Sequence, residues 1–273
     1  MTADYTITPA LSFGLLHLPS GDARAWLDEV RAAEQQGWNV LLVPDTLWTP
    51  SPFPTLAAAA AVTTSLRLRP WVLAAPLRSP TAVVREVKSL QLMSGGRFEL
   101  GIGTGRPDAE REAALLGVPW GTPGERIGQV EQVINAVREQ VTPVTAIAVT
   151  GYGPKMLAVA ARIADRVGLA LPPTADEHGL RTAVDRLKEL SSRRIGLTLQ
   201  VSGVAGRLTS WVARSGVDPQ ALTTSNAIGM LNGDAGQMAD TLQRWHAEFG
   251  IDEIVVPGEL AAEFAPVIRK MTA

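Results

Sequence analysis

The chain has 273 residues, 46% hydrophobic and 19% charged, with a formal net charge of −2 and no cysteine. That length suits one α/β barrel and buries a core without disulfides or metal, and the composition excludes a disordered chain. The near-neutral charge gives no electrostatic reason to expect nucleic acid or an anionic membrane as a partner, while the lack of cysteine excludes disulfides, thiolate chemistry and zinc–thiolate sites. Met1 to Ala10 carries no basic region followed by a long apolar run, so no signal peptide is expected. The apolar run Leu56 to Val62 is far too short to span a bilayer. A cytoplasmic, soluble protein is the default expectation.

Strand-like and helix-like segments alternate along the chain. Leu11 to His17 reads as a buried strand, and Asp22 to Gln36 as a helix with Ser20 and Asp22 as cap candidates and Gly37 as its stop. Val40 to Val43 is a β-branched, apolar strand. Pro54 to Thr64 reads as a helix and Leu66 to Leu73 as a strand. Pro80 opens a helix whose Val83, Val87 and Leu90 share one face and which Gly95-Gly96 ends. Arg97 to Gly103 is a strand, Gly124 to Glu139 a helix, Thr145 to Thr150 a strand and Gly153 to Asp165 a helix. Val167 to Leu171, Asp176 to Leu190 and Ile195 to Val201 continue the alternation. Thr209 to Asn232 is the least regular stretch. Ala235 to Phe249 is a helix, Glu253 to Val256 the last strand and Glu259 to Met271 the last helix. Eight strands, each followed by helical sequence, predict one domain over residues 1–273, a single (β/α)₈ barrel. A doubly wound sheet is the alternative.

In such a barrel, function sits in the loops after the strands. Three of these loops stand out. Gly101-Ile102-Gly103-Thr104-Gly105 ends a strand, and alternate glycines let a ligand lie against the backbone. The plainer reading is a tight turn. Thr150-Gly151-Tyr152-Gly153-Pro154-Lys155 joins a strand to a helix start, where free N–H groups and the positive dipole end favour an anion. It lacks the ending of a Walker loop. Pro44-Asp45-Thr46-Leu47-Trp48 places a carboxylate and an indole at a strand's end, with turn and packing roles as the plainer reading.

His17 ends the first strand and is the one histidine so placed, which makes it a candidate proton donor. His178 and His246 fall in helical segments, and the three histidines form no metal motif. The serines show no nucleophile elbow. Arg67, Arg69 and Glu99 alternate with apolar residues on their strands, which predicts charged side chains pairing inside the barrel.

On these residues the sequence resembles the luciferase-like monooxygenase superfamily. The matching pieces are FGLL (Phe13 to Leu16), LLVPD (Leu41 to Asp45), PLRSP (Pro76 to Pro80), REVKSLQLMSGGRFELGIGTG (Arg85 to Gly105) and GERIGQVEQVI (Gly124 to Ile134). VTGYGPKMLAVAARIAD (Val149 to Asp165) and IDEIVVPG (Ile251 to Gly258) follow. The resemblance covers nearly the whole chain and is looser in the C-terminal third. It implies FMN or the deazaflavin coenzyme F-420 at the strand C-termini, with the cofactor phosphate at Thr150 to Lys155. It also implies a non-proline cis peptide near Trp71-Val72-Leu73.

Three departures qualify what carries over. The deazaflavin branch often has Asp-His after the second strand; here Asp45 and Trp48 remain, but Thr46 stands where the histidine would be. Some relatives have a glutamate just after the glycine strand, where this chain has Arg106. Relatives also carry an inserted segment where only residues 140–144 remain here, so a more open pocket, or one closed by a partner subunit, is expected. The first functional reading is an F-420-dependent reductase or dehydrogenase, with His17, Asp45 and Trp48 on the substrate side. The second is an FMN-dependent monooxygenase, and the third a non-catalytic flavin-binding member of the family. The expected partner is a small-molecule substrate, with a homodimer left open.

Overall fold

The computed structural model describes residues 11–214 and 216–272; the signal-peptide expectation for residues 1–10 falls outside them. In chain order the first elements are β1 (Ser12–Leu16), α1 (Ala23–Gln35), β2 (Val40–Val43), α2 (Pro52–Val62), β3 (Arg67–Pro70), β4 (Leu73–Ala74), α3 (Pro80–Ser94) and β5 (Leu100–Gly103). Next come α4 (Glu110–Leu116), α5 (Pro123–Gln140), β6 (Ile147–Gly151), α6 (Pro154–Ile163), β7 (Arg166–Leu169), α7 (Glu177–Leu190) and β8 (Gly196–Gln200). The chain ends with β9 (Gly203–Val204), β10 (Arg207–Leu208), α8 (Ser210–Arg214), α9 (Pro219–Thr224), β11 (Met230–Leu231), α10 (Ala235–Phe249), β12 (Ile251–Pro257) and α11 (Ala261–Thr272).

The main sheet runs β3-β2-β1-β12-β8-β7-β6-β5-β4, all neighbours parallel. β3 and β4 are two halves of one barrel strand, interrupted at Trp71 and Val72. A bridge between Leu68 and Phe98 brings the two ends of this order together. The fold is the expected α/β barrel, and each of the eight predicted strands is present. The predicted helix ends also hold where capping chemistry is explicit. The Asp22 side chain caps α1, Ser79 caps α3 and Gly95 closes α3 in the left-handed conformation. Capping boxes start α5 (Thr122 with Glu125) and α10 (Asp234 with Gln237).

Three features differ from expectation. α4 went unpredicted, because a seven-residue helix is too short to show a period. The irregular stretch after β8 folds into a small sheet, β10-β9-β11, with α8 and α9 packed through Val212, Leu222 and Ala227. The short connection expected to leave the pocket open joins the end of α5 to the start of β6. A helix-to-strand connection lies at the N-terminal pole of a barrel, so its length has no bearing on a cavity at the other pole.

Strand alternation sorts the side chains. Phe13, Leu15, Leu41 and Val43 face the helices in the main core, while Val40, Leu42 and Val255 cluster separately with Leu16 and Trp71. The barrel interior also holds the charged network predicted from Arg67, Arg69 and Glu99. Arg67 Nη1 donates to Glu99 Oε1 at 2.7 Å, and Arg69 Nη2 donates to Glu253. Arg166 pairs with Asp252, and Thr198 Oγ1 donates to Glu253 Oε1 at 2.9 Å. Burial pushes the Glu253 carboxyl up, but Arg166, Arg69 and Arg67 together outweigh it and hold it down at about 2. Glu99 is held low in the same way, by Arg67 and Arg69 against burial.

Two measurements check this account. Glu253→Gln leaves arginines buried without their counter-charge and is expected to cost about 3–5 kcal/mol in urea unfolding; a loss below 1 kcal/mol would contradict the network's role. Glu34, on α1, accepts from the backbone N–H groups of Thr64, Ser65 and Leu66 at 2.6–3.2 Å. Burial is the largest single influence and raises its pKa, but these bonds and one from the Ser65 hydroxyl together outweigh it and lower it from 4.5 to about 2. A depressed carboxylate stabilises fully above its unfolded pKa and loses that contribution as pH falls through its folded one. The difference in melting temperature between the wild type and Glu34→Ala should therefore be full above pH 4.5 and shrink toward pH 2.

Candidate active site

A cavity of about 440 Å³ opens at the C-terminal ends of the strands, within the range of small-molecule sites. It is lined from β2 onward by Pro44, Asp45 and Thr46, then Trp71, Val72 and Ala74. Gly103 to Arg106 after β5, Thr150 and Gly151 at the end of β6, and Ala170 after β7 complete it. The three loops singled out in the sequence thus converge on one cavity.

Trp71 forms the floor. Its Nε1 donates to Gln200 Oε1 at 2.8 Å, and the Arg69 guanidinium sits 5.3 Å from its ring centroid. The indole fits because β7 carries glycine opposite it: a Cβ at Gly168 would stand 2.5 Å from Trp71 Cη2 and from Thr150 Oγ1. The Trp71–Val72 peptide is cis, within the Trp71-Val72-Leu73 stretch where the resemblance implied one. Val72 meets the glycine strand directly, since a Cβ on Gly103 would lie 3.0 Å from Val72 Cγ2. Leu73, named with them, is fully buried in the apolar core and is not part of the lining.

The charged residues at the rim are tied into pairs. Asp45 is 8% exposed; Arg78 Nε donates to its Oδ2 at 2.9 Å and Arg78 Nη2 to its Oδ1 at 2.5 Å. The Ala74 N–H adds a 3.3 Å bond to Oδ2. Arg106 Nε pairs with Asp108 at 2.8 Å, and its Nη2 donates to Glu112. Glu112 is 1% exposed, and its other oxygen accepts from the Leu47 N–H at 2.7 Å. One carboxylate on α4 therefore holds both Arg106 and the loop after β2. Arg78 lies inside the PLRSP motif, where its role was not read. Glu112 had no sequence signal, because its partner Leu47 lies 65 residues away.

The remaining predicted residues are placed as follows. Thr150 lines the cavity, and its Oγ1 is buried without a hydrogen-bond partner. Gly153 is the N-cap of α6, with no side-chain cap. Tyr152 and Pro154 border a groove against α7 rather than the cavity. Lys155 is exposed in the first turn of α6. Trp48 is 71% exposed and outside the lining, with its N–H bonded to Thr46 Oγ1 at 3.1 Å. His17 is not brought to the cavity: its Nε2 lies 2.8 Å from Glu29 Oε2 and its ring stacks on Trp26, both on α1. Among the described residues, no group of three or more His, Cys, Asp or Glu side chains is placed to hold a metal ion, and no helix is long and apolar enough to cross a membrane.

The sequence profile described as luciferase-like monooxygenase matches residues 6–204. The chain belongs to that family. An uncharacterized protein of Mycobacterium tuberculosis is 29% identical over 140 residues, which cover 42% of this chain and 48% of the relative. The match thus spans about half of that relative's length. Among solved structures, the coenzyme F-420-dependent tetrahydromethanopterin reductase of Methanopyrus kandleri superposes with a TM-score of 0.72 at 18% identity. It covers 95% of this chain and 97% of that one. The oxygenating constituent of 3,6-diketocamphane monooxygenase from Pseudomonas putida, a type II Baeyer–Villiger enzyme in complex with FMN, gives 0.70 at 15% identity over 96% of both. At these identities the likeness is one of fold, and both cofactor classes occur on it.

The Glu112 clamp makes a checkable prediction. Glu112→Ala should speed amide hydrogen exchange at Leu47 and lower stability by about 1.5–3 kcal/mol, the scale of a charged hydrogen bond lost from a buried site. Unchanged exchange at Leu47 would separate the two loops.

Proposed function

We propose that the chain is an oxidoreductase that seats coenzyme F-420 in the mouth cavity and moves a hydride between it and a small organic substrate. The observation that carries this reading is the convergence of Val72, the glycines at 103 and 105, and Thr150 on one cavity. The residues fit such a group. The glycines let Val72 and Trp120 pack close against the strand end, and the unpartnered hydroxyl of Thr150 is a donor without an acceptor inside the protein. The uncapped start of the ten-residue α6, with Lys155 in its first turn, suits a phosphate. Asp45 and Trp48 after β2, retained from the family's deazaflavin branch, favour F-420 over FMN.

When bound, the deazaflavin supplies the hydride carrier. The protein's part is positioning. Trp71, braced by Gln200 and Arg69, sets the depth of the ring. Asp45 turns both oxygens to Arg78, so it orients the wall rather than exchanging a proton. The lining offers the hydroxyls of Thr46 and Thr104 in place of an imidazole, and these would pass the proton from solvent. His17, turned toward Glu29, takes no part.

Titrations of F-420 and FMN side by side, read by quenching of deazaflavin and flavin fluorescence, test the proposal. F-420 is expected to bind more tightly. Saturable FMN binding with no F-420 binding would replace it with the FMN-dependent reading, and F-420 binding with no turnover of enones, imines or alcohols would favour a binding protein. Gly153→Leu should weaken binding about tenfold by standing over the phosphate seat. Its fold should survive, because a Cβ there meets nothing within 4 Å. His17→Ala should leave both binding and turnover unchanged.

A further inference from the structure

We infer that the substrate of this site is an uncharged molecule with an apolar body, and that the cavity rejects carboxylate and phosphate substrates. The inference rests on the oxidoreductase reading of the cavity and adds the substrate class. Its basis is the charge arrangement at the rim. Asp45 and Arg106 are the charged residues of the lining. Each already has its counter-ions, Arg78 for Asp45 and both Asp108 and Glu112 for Arg106. Both charged side chains of the lining are thus neutralised by neighbours within the protein. An anion entering here loses water and finds each charged side chain of the lining already matched by a counter-ion within the protein.

The sites left to a substrate are neutral or apolar. Thr104 and the unpartnered Thr150 Oγ1 are hydroxyls on the lining. A Cβ on Gly105 would stand 2.6 Å from Trp120 Cη2, which places a half-buried indole against the glycine loop. On the loop after β2, Leu47 is 42% and Trp48 71% exposed. Exposed aromatic and aliphatic side chains next to a cavity are surface held for an apolar ligand. A ketone, aldehyde or alcohol with a cyclic or aromatic body meets each of these features: one oxygen for a hydroxyl and an apolar remainder for the indoles.

The test uses matched pairs, such as acetophenone with 4-acetylbenzoate and cyclohexanone with 4-oxocyclohexanecarboxylate. Binding is followed by saturation-transfer NMR with and without F-420. The uncharged member of each pair should bind at least about tenfold more tightly. Asp108→Asn, at an exposed position that the fold does not depend on, removes one of the two counter-charges of Arg106. It should narrow that ratio at least about threefold by strengthening the carboxylate member. Carboxylates binding as well as the ketones would overturn the inference, as would no binding by any member, or a ratio unmoved by Asp108→Asn. A preserved ketone preference without F-420 binding would instead sink the cofactor assignment alone, so the two failures are distinguishable.

Discussion

The buried ion network around Glu253 is the constraint on which the rest of the barrel depends. A closed eight-stranded barrel must fill its interior with side chains, and this one fills the lower part with arginines and carboxylates instead of apolar layers alone. Arg69 and Glu253 are fully buried, a placement that is costly unless every charge is matched. Matching requires β3, β7, β8 and β12 to hold a fixed register, because the partners come from all four strands. The strands make room through missing side chains: a Cβ on Gly196 would lie 2.9 Å from Arg166 Cζ. The network then reaches upward. Arg69 lies against Trp71, Trp71 forms the floor of the cavity, and the space above the indole is what remains of the barrel interior.

Above that floor, charge acts on loops instead of strands. The pairs Asp45–Arg78 and Glu112–Arg106 each join segments that are distant in sequence. They fix the wall and the rim while matching the charges of the lining. The same contacts that give the cavity its shape therefore remove its charged side chains from direct chemistry. What stays available is backbone, hydroxyl and indole. On the oxidoreductase reading proposed above, a bound cofactor would supply the reactive centre to such a lining.

The fold was largely legible in the sequence because its signals are local. Apolar runs of four to eight residues, the N1 proline at Pro80, the Gly95 stop and the repeated strand–helix alternation each report on their own segment. The glycine loops were legible for the same reason, and their convergence followed from the rule that strand C-termini share one mouth. Long-range pairings were not legible. Arg67, Arg69 and Glu99 announced an internal network by alternation, but Glu253 and Arg166 gave no sign that they would complete it. Glu112 could not be linked to Leu47 from spacing, and the small sheet β10-β9-β11 has strands of two residues, below any periodic signal.

His17 shows that the end of a strand is a coarser criterion than the face of a strand. Leu16 packs with Val40, Leu42 and Val255 inside the barrel, whereas Phe13 and Leu15 belong to the core beneath the helices. Period-two alternation then sends residue 17 outward, toward α1, where Glu29 and Trp26 receive it. The same parity puts Arg67, Arg69 and Trp71 of the third barrel strand inside, with Thr198 and Gln200 of β8. It also aims Thr150 inward, level with the gap that Gly168 leaves. Strand parity, applied to the same sequence, would have separated the histidine from the cavity and kept Trp71 and Thr150 in it. The inward-facing strand residues of the cavity lining, Trp71 and Thr150, carry an indole and a hydroxyl rather than an acid or a base.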